Sequence, residues 1–99
     1  MAVMIRTTDF PPAVGTDMYD GVNAAMDVEN NPPAGMVFHC ACEMDGKWTV
    51  TYVWESRSHY DRFRDERLSP AIQKVSGMDP SDGPQPTVSE FPVHNYVKP

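Results

Sequence analysis

The dipeptide Asp45-Gly46 constrains this chain more than any other pair of residues in it. Asp-Gly readily takes the two positive-φ positions of a two-residue hairpin turn, and strand-forming sequence flanks it on both sides. After it Trp48, Val50, Tyr52 and Trp54 alternate with Thr49, Thr51 and Val53, the period of two that a strand imposes. Residues 35–43 and 47–55 are therefore expected to pair as antiparallel strands. With a two-residue turn, Met44 pairs with Lys47, and the other partners follow: Cys42 with Thr49, Cys40 with Thr51, His39 with Tyr52, Phe38 with Val53 and Val37 with Trp54. One hairpin face then carries Val37, His39, Ala41, Trp48, Val50, Tyr52 and Trp54. The other carries Phe38, Cys40, Cys42, Thr49, Thr51 and Val53. A slip of one residue would exchange the faces of one strand, so the assignment rests on the turn.

Two strands and two helices are expected around this hairpin. Residues 2–8 form a β-branched run stopped by Phe10-Pro11-Pro12, since proline has no ladder donor. Thr16 or Asp17 offers an N-cap, and Met18, Val22, Ala25 and Met26, with Tyr19 beside them, mark one face of a helix. Asn30-Asn31-Pro32-Pro33 is expected to end it. Ser56 or Ser58 caps a second helix carrying Tyr60, Phe63, Leu68 and Ile72, with a break at Pro70 and Ser69 capping a short continuation. Residues 77–86 read as a loop and 87–97 as a last strand, in which Pro92 indicates an edge position or a bulge. The order β-α-β-β-α-β predicts an α+β, ferredoxin-like fold: a four-stranded antiparallel sheet with two helices on one face. The 99 residues read as a single domain with a thin core. A homodimer would cover the sheet face that lacks helices.

Charge narrows the partners. Eight basic and fourteen acidic residues leave a net charge of −6, which argues against a nucleic-acid binder and against a polybasic membrane-surface protein. No signal peptide or membrane span is expected, because no basic-then-apolar leader and no run of 18 apolar residues occurs. Cys40 and Cys42 are too close in sequence to bridge without distortion, so they read as reduced thiols, which fits a cytoplasmic location.

His39, Tyr52 and Trp54 are the candidate catalytic residues. A histidine can act as acid or base near neutral pH, and Tyr and Trp can stack on an aromatic ligand while bonding its oxygens. Tyr19, Val22 and Met26 from the first helix, Val50 on the strand, and Phe63 and Arg64 from the second helix are the candidate substrate-binding residues. Large walls around the small Ala41 and Val50 suit a pocket, yet the same residue types serve a packed core, and on types alone the core reading is the stronger. Arg64 could hold an anionic group, although residues 57–67 read first as a solvated helix face with pairs such as Asp61–Arg64 and Arg62–Glu66. His39-Cys40-Ala41-Cys42 makes a poor metal site, because alternation puts His39 opposite the thiols, so no metal is expected. His59 falls in the first turn of the second helix, and His94 and Tyr96 share a face of the last strand; all read as structural or solvated. No nucleotide-binding, serine-hydrolase or zinc-protease motif occurs, and no cofactor is expected.

The stretch WTVTYVWES at residues 48–56, with Tyr60-Asp61-Arg62-Phe63 and Leu68-Ser69-Pro70-Ala71 after it, resembles the antibiotic biosynthesis monooxygenase-like group of dimeric α/β barrels. The order of elements agrees over nearly the whole chain. The resemblance implies a homodimer with packed sheet faces and a ligand cavity between sheet and helices in each subunit. Some members of that group oxidise aromatic polyketides with O2 and no cofactor, others degrade haem, and many have no assigned activity. The cavity tryptophan of such enzymes corresponds to Trp54, and Tyr19 matches an aromatic position early in the first helix. The quinone-forming type has an asparagine four residues before the tryptophan, where this chain has Val50. A histidine often found in the second helix is replaced by Arg64, which weakens a haem-ligand reading. The expected function is therefore a small dimeric monooxygenase-like protein acting on a hydrophobic, aromatic or polyketide-like small molecule without nucleotide cofactor. The alternatives are a non-catalytic small-molecule carrier dimer and a cyclase or isomerase on the same scaffold.

Overall fold

The computed structural model describes residues 1–10, 16–77, 79 and 85–97. Four strands, β1 (Val3–Thr8), β2 (Met36–Met44), β3 (Lys47–Trp54) and β4 (Thr87–Pro92), form one antiparallel sheet in the order β2-β3-β1-β4. Helix α1 (Thr16–Met26) follows β1, and α2 (Arg57–Phe63) and α3 (Ser69–Ser76) follow β3. This is the ferredoxin-like α+β arrangement.

The hairpin turn behaves as its residues dictate: Asp45 and Gly46 both have positive φ, 51° and 78°. The register holds from Met44↔Lys47 through His39↔Tyr52 to Phe38↔Val53. It then departs from expectation, because a bulge at Val37 makes Met36, not Val37, the partner of Trp54. Val37 is the extra residue on the longer strand, the usual consequence of a bulge near the end of an edge strand.

Beneath the helices, Val3 and Ile5 of β1 lie opposite Trp54 and Tyr52 of β3. With Val50, Val22, Met26, Tyr60, Phe63 and Ala71 they make one buried cluster. Each such large apolar side chain contributes roughly 1.5–3 kcal/mol on burial. Among the described residues no helix covers the other sheet face, and Phe38 and Phe91 on it stay 51% and 40% exposed.

Other departures have local causes. α1 ends at Met26, four residues before the Asn-Asn-Pro-Pro run, because Asp27 turns left-handed at φ 52° and its N–H bonds Asn23 O. The helix begins at Thr16, so its cap position lies outside the described residues. Ser56 caps α2 as expected, accepting from the His59 N–H at 3.3 Å. No break occurs at Pro70, and Ser69 is no cap: a π-helical turn (Arg64–Leu68) joins α2 to α3 and the Ser69 N–H bonds Arg64 O. Pro70 fits because the first turn of α3 needs no donor there. The extra residue of the π turn accompanies a second link between helices, since Arg67 Nη2 donates to Met26 O at the end of α1. β4 is an edge strand that stops at Pro92, so His94 and Tyr96 lie beyond it rather than on its face. Of the loop expected at 77–86, positions 78 and 80–84 fall outside the described residues.

Candidate functional site

His39 reaches the site because β2 and β3 place it opposite Tyr52 on the helix-covered face, the two rings 5.3 Å apart. α1 crosses above them and brings Tyr19 down, so that Tyr19 OH lies 3.0 Å from His39 Nε2. Trp48, farther along β3, meets Tyr19 edge-on at 5.5 Å and fixes the ring plane. From Tyr52 the aromatic series continues inward: Trp54 at 5.8 Å, then Phe63 at 5.1 Å and Tyr60 at 6.0 Å from the indole.

Electrostatics follow from burial. His39 is half-buried, and desolvation holds its pKa below the ordinary value, so the ring is uncharged at neutral pH. Desolvation raises Tyr19, while a side-chain hydrogen bond from Asn23 works the other way by favouring the phenolate. Tyr52 is pushed far up by burial and stays protonated, and burial also raises Tyr60. Trp54 Nε1 is buried and has no hydrogen-bond partner among the described residues, although a buried unpaired N–H costs about 1–3 kcal/mol.

Most of the candidate residues therefore converge. Tyr52, Trp54, Val22, Met26, Val50 and Phe63 share one buried cluster, with Tyr19 and His39 at its margin. Trp54 is fully buried and Tyr52 only 6% exposed, so both serve the core whatever else they do. Arg64 is held instead at the helix surface by Asp61 (3.3 Å) and Asp65 (3.1 Å), its guanidinium over the Tyr60 ring. Asn23 is the residue that sequence reasoning misses; its place one turn after Tyr19 in α1 is the signal that would have found it. A separate open cleft of about 290 Å³, lined by Met26, Asn31, Glu66, Arg67 and Lys74 among others, lies at the end of α1.

Cys40 and Cys42 are free thiols on β2. Among the described residues no three His, Cys, Asp or Glu side chains gather as a metal site would need, and no helix is long and apolar enough to cross a membrane.

No protein-family model and no curated protein sequence matches the chain. Solved structures do match it in fold. A mutant of SnoaB, a cofactor-independent oxygenase from Streptomyces nogalater, superposes with a TM-score of 0.55 at 14% identity, covering 97% of this chain and 94% of that one. A Chloroflexus aurantiacus J-10-fl protein, provisionally described as an antibiotic biosynthesis monooxygenase, gives 0.58 at 13%, covering 99% and 98%. A dimeric ferredoxin-like protein of unknown function from Thermobifida fusca gives 0.55 at 13%, covering 93% and 90%. The chain thus has the fold of solved structures that include antibiotic biosynthesis monooxygenase-like proteins. At such identities the likeness speaks to the fold alone.

Proposed function

We propose that the protein is a homodimeric monooxygenase of the cytoplasm that acts on a phenolic, aromatic or polyketide-like substrate without a nucleotide cofactor. The observation that carries this reading is the uncharged His39, bonded to the Tyr19 hydroxyl beside the Tyr52 ring. An uncharged imidazole is the form that can take a proton. The substrate phenol gives up a proton that ends on His39, and becomes a phenolate. The phenolate gives one electron to O2, leaving a substrate radical and superoxide. Their recombination forms a carbon–oxygen bond and a peroxide anion, which takes back the proton held by His39; loss of water from the resulting hydroperoxide leaves a quinone. Tyr52 and Trp54 stack on the substrate once the packed cluster opens to admit it, and Trp54 Nε1 then donates to a substrate oxygen. Val22, Met26, Val50 and Phe63 form the apolar wall, and Arg64 stabilises negative charge once released from its surface carboxylates. The fold shared with a cofactor-independent oxygenase and with a dimeric protein supports the class and the homodimer.

The test is O2 consumption over a panel of polyphenols, comparing wild type with His39→Ala. Turnover that needs O2 and falls by about 100-fold or more in the variant supports the reading. Unchanged turnover in His39→Ala removes the base. A carrier is the second reading, favoured by Val50, whose side chain cannot bond a substrate; tight binding without turnover would select it. Turnover under anaerobic conditions would select a cyclase or isomerase.

A further inference from the structure

Neutral imidazole has one accepting nitrogen, and a phenol has one proton to give. In the Tyr19–His39 contact either Tyr19 O–H donates to Nε2 or Nε2–H donates to the phenol oxygen. A phenol O–H is the stronger acid of the two, and an imidazole nitrogen is the better acceptor. Donation by Tyr19 is therefore favoured, with the His39 ring proton on Nδ1. The accepting lone pair of Nε2 is then fully used by Tyr19, and no substrate hydroxyl can reach it without displacing that bond.

We infer that Tyr19, rather than His39, is the group that takes the substrate proton, and that His39 acts only through it. The inference rests on the reading of the protein as a phenol-deprotonating enzyme. Tyr19 Oη keeps its lone pairs when its O–H donates to His39, and one of them can accept a substrate hydroxyl; Asn23, one turn on in α1, favours the phenolate. In the step, the substrate O–H bond breaks and a new O–H bond forms at Tyr19. The original Tyr19 O–H bond breaks at the same time and its proton passes to His39 Nε2. The products are a substrate anion, a neutral Tyr19 and a His39 imidazolium, with charge conserved. Asn23 steadies whatever negative charge passes through the phenol oxygen, and Trp48 holds the ring edge-on so that the oxygen stays between its partners. Tyr19 is thus a catalytic residue, and Asn23 and Trp48 are positioning residues. The other ionisable groups acting on this pair are Tyr52 beside His39, and Asp20 and Cys40, which act on Tyr19.

Two measurements test this. The first needs no substrate: the ring nitrogens of His39 are read by ¹⁵N NMR in the wild-type protein. An Nε2 with the shift of an unprotonated acceptor, changed in Tyr19→Phe, is expected; a protonated Nε2 donating to Tyr19 would overturn the inference. The second uses the substrate found in the O2-consumption screen. Tyr19→Phe and His39→Ala are each expected to lower kcat by about 100-fold or more, the double variant no further. Asn23→Leu should displace the pH profile of kcat while leaving KM near its wild-type value. Wild-type kcat in Tyr19→Phe, with His39→Ala still impaired, would return the role to His39. If the screen finds no turnover, the oxygenase reading fails by itself, and the NMR result still decides which group holds the proton.

Discussion

Replacing Gly35 by alanine tests how the start of β2 is fastened to α2. Gly35 has φ +83°, and a Cβ built there falls 2.2 Å from His59 Cγ and 2.6 Å from His59 Cβ, so the imidazole must leave and the first turn of α2 that carries it must shift. Its Nδ1 lies 2.8 Å from the hydroxyl of Ser56, the residue that caps α2, and the displaced ring surrenders that bond. The backbone cannot swing away instead, because Glu55 N–H donates to Gly35 O at 2.8 Å and ties the segment to the end of β3. A left-handed alanine costs about 1–2 kcal/mol and the lost hydrogen bond about 1 kcal/mol more. The expected loss is thus about 2–3 kcal/mol, which lowers the Tm of a domain this size by roughly 10–20 °C. Urea unfolding and thermal melting at fixed protein concentration measure it. The cycle with His59→Gly separates the two causes, because alanine would keep the Cβ that lies 2.6 Å away. In that background the ring and its Cβ are gone, and Gly35→Ala should cost only the backbone part, about 1–2 kcal/mol. Equal costs in both backgrounds, or a loss under about 0.5 kcal/mol in the wild type, would refute the steric reasoning.

Three further perturbations have definite directions. Phe63→Ala opens a void in the buried aromatic cluster and should cost about 3–5 kcal/mol by urea unfolding. Thr51→Val removes a buried hydroxyl that has no partner among the described residues, and should raise stability by about 1 kcal/mol in urea unfolding; a loss would refute the reading of the hydroxyl as unbonded. His39 has a folded-state pKa depressed by burial, so its contribution is full above the unfolded-state value and is lost as pH falls through the folded one. Urea midpoints should accordingly drop on acidification below neutrality, and the part due to this residue should vanish in His39→Gln.

The hairpin was legible because its signals are local. Asp45-Gly46 accepts the two positive φ angles, and alternation along β3 then determines which residues share a face. The bulge at Val37 was not, because nothing in Met36-Val37-Phe38 distinguishes a regular edge strand from one with an extra residue. The π-helical turn escaped for a similar reason: Arg64 to Leu68 are ordinary helix formers, and the i→i−5 bond at Ser69 is a tertiary outcome. Ser69 resembled a cap only while Pro70 resembled a break. The Tyr19–His39 bond spans twenty positions and depends on how α1 crosses the sheet, which no spacing rule encodes. His39, Tyr52 and Trp54 were legible as a shared face, whereas the way Phe63 and Tyr60 fill the space above Trp54 depends on three-dimensional packing.

That packing decides which substitutions can report on chemistry. Trp54, Tyr52 and Phe63 hold the core and also form the candidate site, so truncating any of them lowers stability and activity together. In a chain this small no second core compensates for the loss. Tyr19, His39 and Asn23 differ in kind: they lie at the margin, and each can lose its polar atoms with little change of volume. Tyr19→Phe, His39→Leu and Asn23→Leu therefore remove polar groups while leaving the aromatic interior intact. An effect on turnover that appears in those three variants without a matching fall in the urea midpoint belongs to proton handling; an effect confined to Trp54 or Phe63 belongs to the fold.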